Sequence, residues 1–219
     1  GPSRRKCEEC NMDSKCKICR RVGEKLFLKG DRCFTPKCAV VRKPYAPGIH
    51  GSKKRRGRGL SEYGLQLKEK QKLRNLYHLR ENQFRTYVER AMSAKGADAS
   101  AKLLESLSLR LDNVLFEAGF AESRSIARQI AGHGHARVNG EKTNVPSHVV
   151  HVGDTISLSE TLWKSGALKT TEELLVKHKP PAWISLNPEA KTASLVSLPH
   201  TTNQVPFNIK LIIEYYART

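Results

Sequence analysis

The sequence predicts an α+β protein with a mostly helical body, a metal-held N-terminal arm and an inserted small α/β module of two helices plus short strands. Three observations predict it. Apolar residues recur at helical spacing in several stretches between positions 62 and 118. A two-helix, turn and strand pattern occupies 110–158, and all six cysteines lie between positions 7 and 38. At 219 residues the chain has room for one or two small domains, and none for a large catalytic barrel. The expected divisions are a Cys-rich arm at 1–45, a basic linker and helical body at 46–109, the module at 110–158, and a C-terminal segment at 159–219 that returns to the body. The chain opens Gly1-Pro2 with no initiator Met, so leading residues are expected to have been removed, left out or replaced.

In the arm the cysteines fall as Cys7-x2-Cys10, Cys16-x2-Cys19 and Cys33-x4-Cys38. Two thiolate pairs with 13 residues between them, Cys16/Cys19 and Cys33/Cys38, suit a tetrahedral four-sulfur site around one structural zinc ion, with the intervening residues as an excursion. Reduced structural thiols, disulfides and an iron–sulfur cluster are the alternatives, the disulfides disfavoured in a reducing cytosol. Zinc fits the physics of the segment. A basic segment of about 40 residues with few apolar side chains cannot offset its conformational entropy by burial alone.

The next stretch, Lys53, Lys54, Arg55, Arg56 and Arg58 with two glycines, is too polar for a core. A solvated linker is the plainer alternative, but Arg42, Lys43, Tyr45 and His50 just upstream favour a nucleic-acid contact, because rings stack on bases while Pro44 and Pro47 keep the backbone extended. From 62 to 74 the pattern is helical, with Tyr63 and Leu67 expected on the core side and Lys68, Lys72 and Arg74 displayed elsewhere as candidate rRNA contacts. Phe84, Val88 and Ala91 form the buried stripe of the next helix, whose start near Glu81 lacks a Ser or Thr cap because Arg80 stands there. A loop containing Gly96 leads to a short helix near 102–106.

The module begins with a helix whose apolar face is Leu111, Val114, Leu115 and Ala118, closed by Gly119. Ser123 caps a second helix with Ile126, Ala127, Ile130 and Ala131 inward, and Arg124 and Arg128 are expected to point outward together. A strand at 136–138 enters the Asn139-Gly140 turn, and later strand material at 149–158 is broken at Gly153-Asp154. Arg124, Arg128, His133, His135, Arg137 and Asn139 are the module's candidate RNA contacts. A metal or acid–base role for His133, His135, His148 and His151 is disfavoured, since no carboxylate or cysteine lies beside them at ligand spacing. Trp183 and a sheet-forming run at 207–216 are expected to pack the tail against the helices of 60–105.

Net charge is +18, unevenly placed: residues 1–60 carry 18 Lys/Arg against 5 Asp/Glu, and residues 61–219 carry 21 against 16. A segment so basic calls for a polyanion partner, and RNA phosphate fits best. No run of 18 apolar residues and no amphipathic membrane helix is present, so no membrane role is expected.

Ser123, Arg124, Ala127, residues 130–135 and Val138-Asn139-Gly140 resemble the signature of an RNA-binding module first recognised in small-subunit ribosomal protein four. The likeness extends through CKICRRVGEKLFLKGDRCFTPKC, KPYAPGIHG, RRGRGLSEYGLQLKEKQKLR, Pro181-Ala182-Trp183 and IIEYYAR, so the chain resembles the bacterial, zinc-containing form of that ribosomal protein family. It departs in CEECNMDSK, which adds the pair Cys7/Cys10 and leaves open whether that pair replaces a ligand. The resemblance implies a structural constituent of a bacterial cytoplasmic ribosome, with mitochondrion or plastid as alternatives. It implies binding to the 5′ domain of 16S-type rRNA, nucleation of subunit assembly, neighbours among ribosomal proteins five and three, a position by mRNA at the entry channel, and an influence on translational accuracy. No small-molecule substrate is implied.

Two rivals stand beside this. A pseudouridine synthase carries such a module, and Arg110-Leu111-Asp112 resembles its catalytic triplet, but the chain lacks room for a catalytic domain and the apolar helix around Asp112 suggests a structural or capping role. A zinc-finger DNA regulator would need a recognition helix after the cysteines, and no such pattern follows them.

Overall fold

The computed structural model describes residues 15–52, 59–94, 98–164, 175, 178–199 and 207–218. The chain divides into two compact units, residues 1–59 and 60–219.

In the first unit, helix α1 (Lys15–Val22) buries Cys19 and Val22. The chain then passes Leu26 and Leu28, both buried, to a 3-10 turn at Gly30–Cys33 and the short helix α2 (Ala39–Arg42). Arg20 fastens the segment beyond α2: its guanidinium donates to the carbonyls of Lys43 (3.1 Å), Tyr45 (3.0 Å) and Ala46 (3.4 Å) and lies 4.8 Å from the Tyr45 ring centre. Cys7, Cys10 and the run Lys53, Lys54, Arg55, Arg56 and Arg58 lie outside the described residues.

In the second unit, α3 (Glu62–Leu76) starts at Ser61, whose hydroxyl accepts from the Gly64 amide. It is followed by α4 (Glu81–Ser93) and by α5 (Ala99–Ser108), whose N-cap is Asp98. No side chain caps α4, whose first-turn acid is Glu81, in keeping with the missing Ser or Thr at position 80. Leu73, Tyr77, Phe84, Val88, Leu103 and Leu107 form one core with Ile212 of the last helix.

A second core belongs to the module. Helix α6 (Leu111–Glu117) and helix α7 (Arg124–Gly132) cover one face of a five-stranded antiparallel sheet. Strands β1 (Ala136–Val138) and β2 (Glu141–Thr143) form a hairpin with Val138 opposite Glu141. Its two-residue turn, Asn139-Gly140, takes positive φ at both positions (52° and 86°), the geometry an Asn-Gly pair favours. Strand β3 (Thr155–Leu158) pairs with β1 on the other side, and Val149 makes only an isolated bridge to Arg110. After the short helix α8 (Glu160–Lys164), β4 (Ile184–Asn187) and β5 (Thr192–Leu195) complete the order β2-β1-β3-β5-β4.

The tail departs from the sequence reading twice. Residues expected to form sheet are instead helix α9 (Ile209–Ala217), which packs on α3 through Ile212 and Tyr216. Ile and Tyr favour strands by propensity, but Ile209, Ile212 and Tyr216 at i, i+3 and i+7 give a helical stripe that packing rewards. Trp183 does not join the helices of 60–105; it packs with Leu186 against the module core, where β4 and β5 widen the sheet beyond residue 158. Among the described residues no helix is long and apolar enough to cross a membrane.

Candidate nucleic-acid surface and thiol cavity

Helix α7 amphipathicity was legible, but the fate of its two arginines was not. Arg124 does not point outward. Its guanidinium donates to Asn113 (2.8 Å) and Glu117 (2.8 Å) of α6, and lies 4.3 Å from the Phe116 ring centre and 5.2 Å from that of Tyr77. Arg128 reaches back to the His78 carbonyl (3.4 Å) and the Asp112 carboxylate (3.5 Å), with about a third of its side chain exposed. The two arginines thus join the module to the end of α3. Beside them a buried ion pair closes the junction: Arg110 donates two bonds to Asp112 (3.0 and 2.7 Å) and one to the Tyr87 hydroxyl (2.9 Å). Burial alone would lower the Arg110 pKa, but Asp112 and Tyr87 raise it above its ordinary value. Asp112 is therefore a locked structural carboxylate.

The α3 cations are also less free than periodicity suggested. Lys72 is buried, with its ammonium 2.7 Å from Glu69, and Arg74 is half-buried and paired with Glu81 at 2.9 Å. Lys68 is partly buried. Tyr63, expected on the core side, is exposed and packs its ring 5.6 Å from Tyr215. The buried stripe of α3 is Gln66, Lys70 and Leu73, two of them polar, which hid it from a hydrophobic pattern.

Lys70 links three aromatic and acidic partners: its ammonium is 2.5 Å from Glu81 and lies over the Tyr215 ring at 4.6 Å and the Tyr216 ring at 5.6 Å. Burial pushes the Glu81 carboxyl up, yet Lys70, the Tyr216 hydroxyl (2.8 Å) and Arg74 together hold it below its ordinary value. Burial and then Glu81 push the Tyr216 hydroxyl well above the usual phenol range.

On the module's outer side, His133 and Arg137 are exposed. Arg137 stands directly across the hairpin from Lys142, an exposed cation that sequence reading passed over and that cross-strand register pairs with it. The His133 and His135 rings meet edge to face at 6.3 Å, and His135 Nδ1 lies 3.1 Å from the Ser159 hydroxyl, so His135 is held while His133 is open. Asn139 is engaged within the fold: its amide donates to Asp154 (2.8 Å) and accepts from the Thr155 N–H (2.9 Å). The backbone N–H of His151 and then the Asn139 amide hold the Asp154 carboxyl below its ordinary value. In the first unit Arg42, Lys43, Tyr45 and His50 are all exposed.

Cys16, Cys19, Cys33 and Cys38 are free thiols that line one cavity of about 20 Å³, walled by Leu28, Ala39 and Val40 with Lys15 and Lys29 beside them. A space of that size takes a guest of one atom, and four soft donors suit zinc. Burial raises the Cys19 thiol pKa, the Leu26 backbone opposes it, and the neighbouring thiols of Cys33, Cys16 and Cys38 raise it further. Among the described residues, no three His, Cys, Asp or Glu side chains stand in metal-ligating geometry. The thiols converge without closing on a point.

Residues 11–108 match the family model described as the ribosomal protein S4/S9 N-terminal domain, and residues 109–156 match the S4 domain. The chain is 47% identical over 204 residues to the small ribosomal subunit protein uS4 of Desulfitobacterium hafniense (strain DSM 10664 / DCB-2), covering 93% of this chain and 96% of that protein. It is 44% identical over 207 residues to uS4 of Nitratidesulfovibrio vulgaris (strain DSM 19637 / Miyazaki F), covering 94% and 98%. With uS4 of Acetivibrio thermocellus it shares 44% identity over 204 residues, covering 93% and 96%.

Proposed function

The chain belongs to the uS4 family of small ribosomal subunit proteins, and from that premise we propose that it is an rRNA-binding constituent of the bacterial cytoplasmic ribosome that performs no covalent chemistry. The observation that carries the reading is the separation of its charges. Arg124, Arg128, Arg110 and Lys72 hold the scaffold together, while Arg42, Lys43, His50, His133, Arg137 and Lys142 remain at the surface. Cations fixed on a folded scaffold displace condensed counterions from phosphate and set where RNA helices lie. The basic run of Lys53, Lys54, Arg55, Arg56 and Arg58 adds to that field.

In this reading the RNA is the 5′ domain of 16S-type rRNA, and binding there nucleates assembly. The neighbours are ribosomal proteins five and three, mRNA passes nearby at its entry channel, and the position contributes to translational accuracy. Membership of the family supports these assignments. The pseudouridine synthase alternative loses its support at Asp112, which is buried and bound at both oxygens by Arg110. Zinc would be held by Cys16, Cys19, Cys33 and Cys38 and would supply a cross-link for folding.

The test is reconstitution. Labelled chain added to 16S-type rRNA and the remaining small-subunit proteins should sediment with the assembled particle, and particles made without it should stall. Free label at the top of the gradient, beside complete particles, would contradict the proposal.

A further inference from the structure

Two rings in the first unit belong neither to the thiol cavity nor to the cationic surface. Phe27 and Phe34 stack with centroids 4.8 Å apart and planes at 29°. Neither ring is buried by the contact: Phe34 is 73% exposed and Phe27 42%. Phe27 also takes φ of +51°, a conformation bulky side chains avoid, between Leu26 and Leu28, which are both buried. The backbone accepts that conformation and turns the ring out of the small core. Within three residues of one ring or the other along the chain, Lys25, Lys29, Arg32 and Lys37 are all exposed, against Glu24 and Asp31 as the acids of the described part of the unit.

Stacked, exposed aromatics with exposed cations two or three residues away along the chain suit one ligand chemistry above others: a base face to extend the stack, with phosphates beside it. A base within an A-form duplex has both faces covered by its neighbours, so the occupant is an unpaired nucleotide in a loop, bulge or junction. We propose that Phe27 and Phe34 form a stacking platform for an unpaired base of the rRNA, with Lys25, Lys29, Arg32 and Lys37 meeting the adjoining phosphates. The platform deepens the rRNA-binding reading and rests on it. Neither the family models nor the sequence motifs assign it.

The experiment uses the full chain as purified and a transcript of the 16S-type 5′ domain. Phe34→Ala should weaken binding by about fivefold to a hundredfold, the range of one lost base stack. Phe34→Leu should weaken it comparably, because leucine keeps apolar area but has no π face, and Phe34→Trp should restore it. Thermal unfolding of each variant checks the fold, and Phe27→Leu supplies the same reading if a change at position 34 unfolds the unit. Wild-type affinity in Phe34→Ala, Phe34→Leu and Phe27→Leu would overturn the platform, leave rRNA binding intact and assign the rings to a protein contact. A wild-type chain that does not bind the transcript would overturn both readings.

Discussion

Arg124 shows how a side chain read as a surface contact becomes part of the frame. Its spacing three and seven residues before the buried Ala127 and Ala131, which puts it on their side of α7, was legible. What lies across from it was not, because Tyr77 comes from the end of α3, nearly fifty residues earlier. Two charge-assisted hydrogen bonds and two ring contacts on a mostly buried guanidinium predict that Arg124→Ala destabilises the second unit by about 2–4 kcal/mol. Urea unfolding measures this, and a variant of wild-type stability would return Arg124 to the RNA-facing surface. Gly119 makes a similar case at the end of α6. It holds φ of +88°, and a Cβ there would meet the His178 ring at 2.7 Å, the same ring whose Nε2 lies 2.8 Å from the Glu117 carbonyl. Gly119→Ala should therefore cost more than the roughly 1–2 kcal/mol of left-handed strain alone. A smaller loss would mean that the His178 contact yields freely. The glycine itself was readable as a helix cap, but the histidine 59 positions on was not.

Among elements, the junction of α3, α4 and α9 has the clearest pH dependence. The Glu81 carboxyl sits below its ordinary value in the folded chain because Lys70, Tyr216 and Arg74 favour its charged form over the opposing effect of burial. A depressed carboxyl contributes stability that is complete above the ordinary glutamate value of about 4.3 and disappears as pH falls through the lower folded value. The second unit should lose stability on acidification across that window, and Glu81→Gln should flatten the loss. Equal slopes in thermal melts of the two proteins between about pH 3 and 5 would remove Glu81 from the account. Helix positions were legible for α4, α6 and α7 because their apolar spacing is regular, and α5 was read shorter than its Ala99–Ser108 span. The register of α3 was not, since the residues it buries include Gln66, Lys70 and Lys72. Strand β2 escaped for a related reason: Glu141-Lys142-Thr143 is polar on both faces and is a strand only by pairing with β1.

At the scale of the molecule, a chain of net charge +18 must find its counter-charge in a partner. That inference needed only composition, whereas the division between structural and exposed cations needed coordinates. The zinc site proposed above adds a prediction of its own: a chelator should release about one equivalent of zinc and expose residues 15–45 to protease. Unchanged protease resistance after metal removal would leave the four thiols as reduced structural residues. In the proposed function, positive side chains held rigid by a folded scaffold grip rRNA. A filter-binding series with the 16S-type 5′ domain transcript, run from about 50 to 200 mM salt, tests it most directly. The predicted result is tight binding at low salt and a log–log slope of several units. Affinity that stays flat across the series, or that is absent at its low-salt end, would contradict the account.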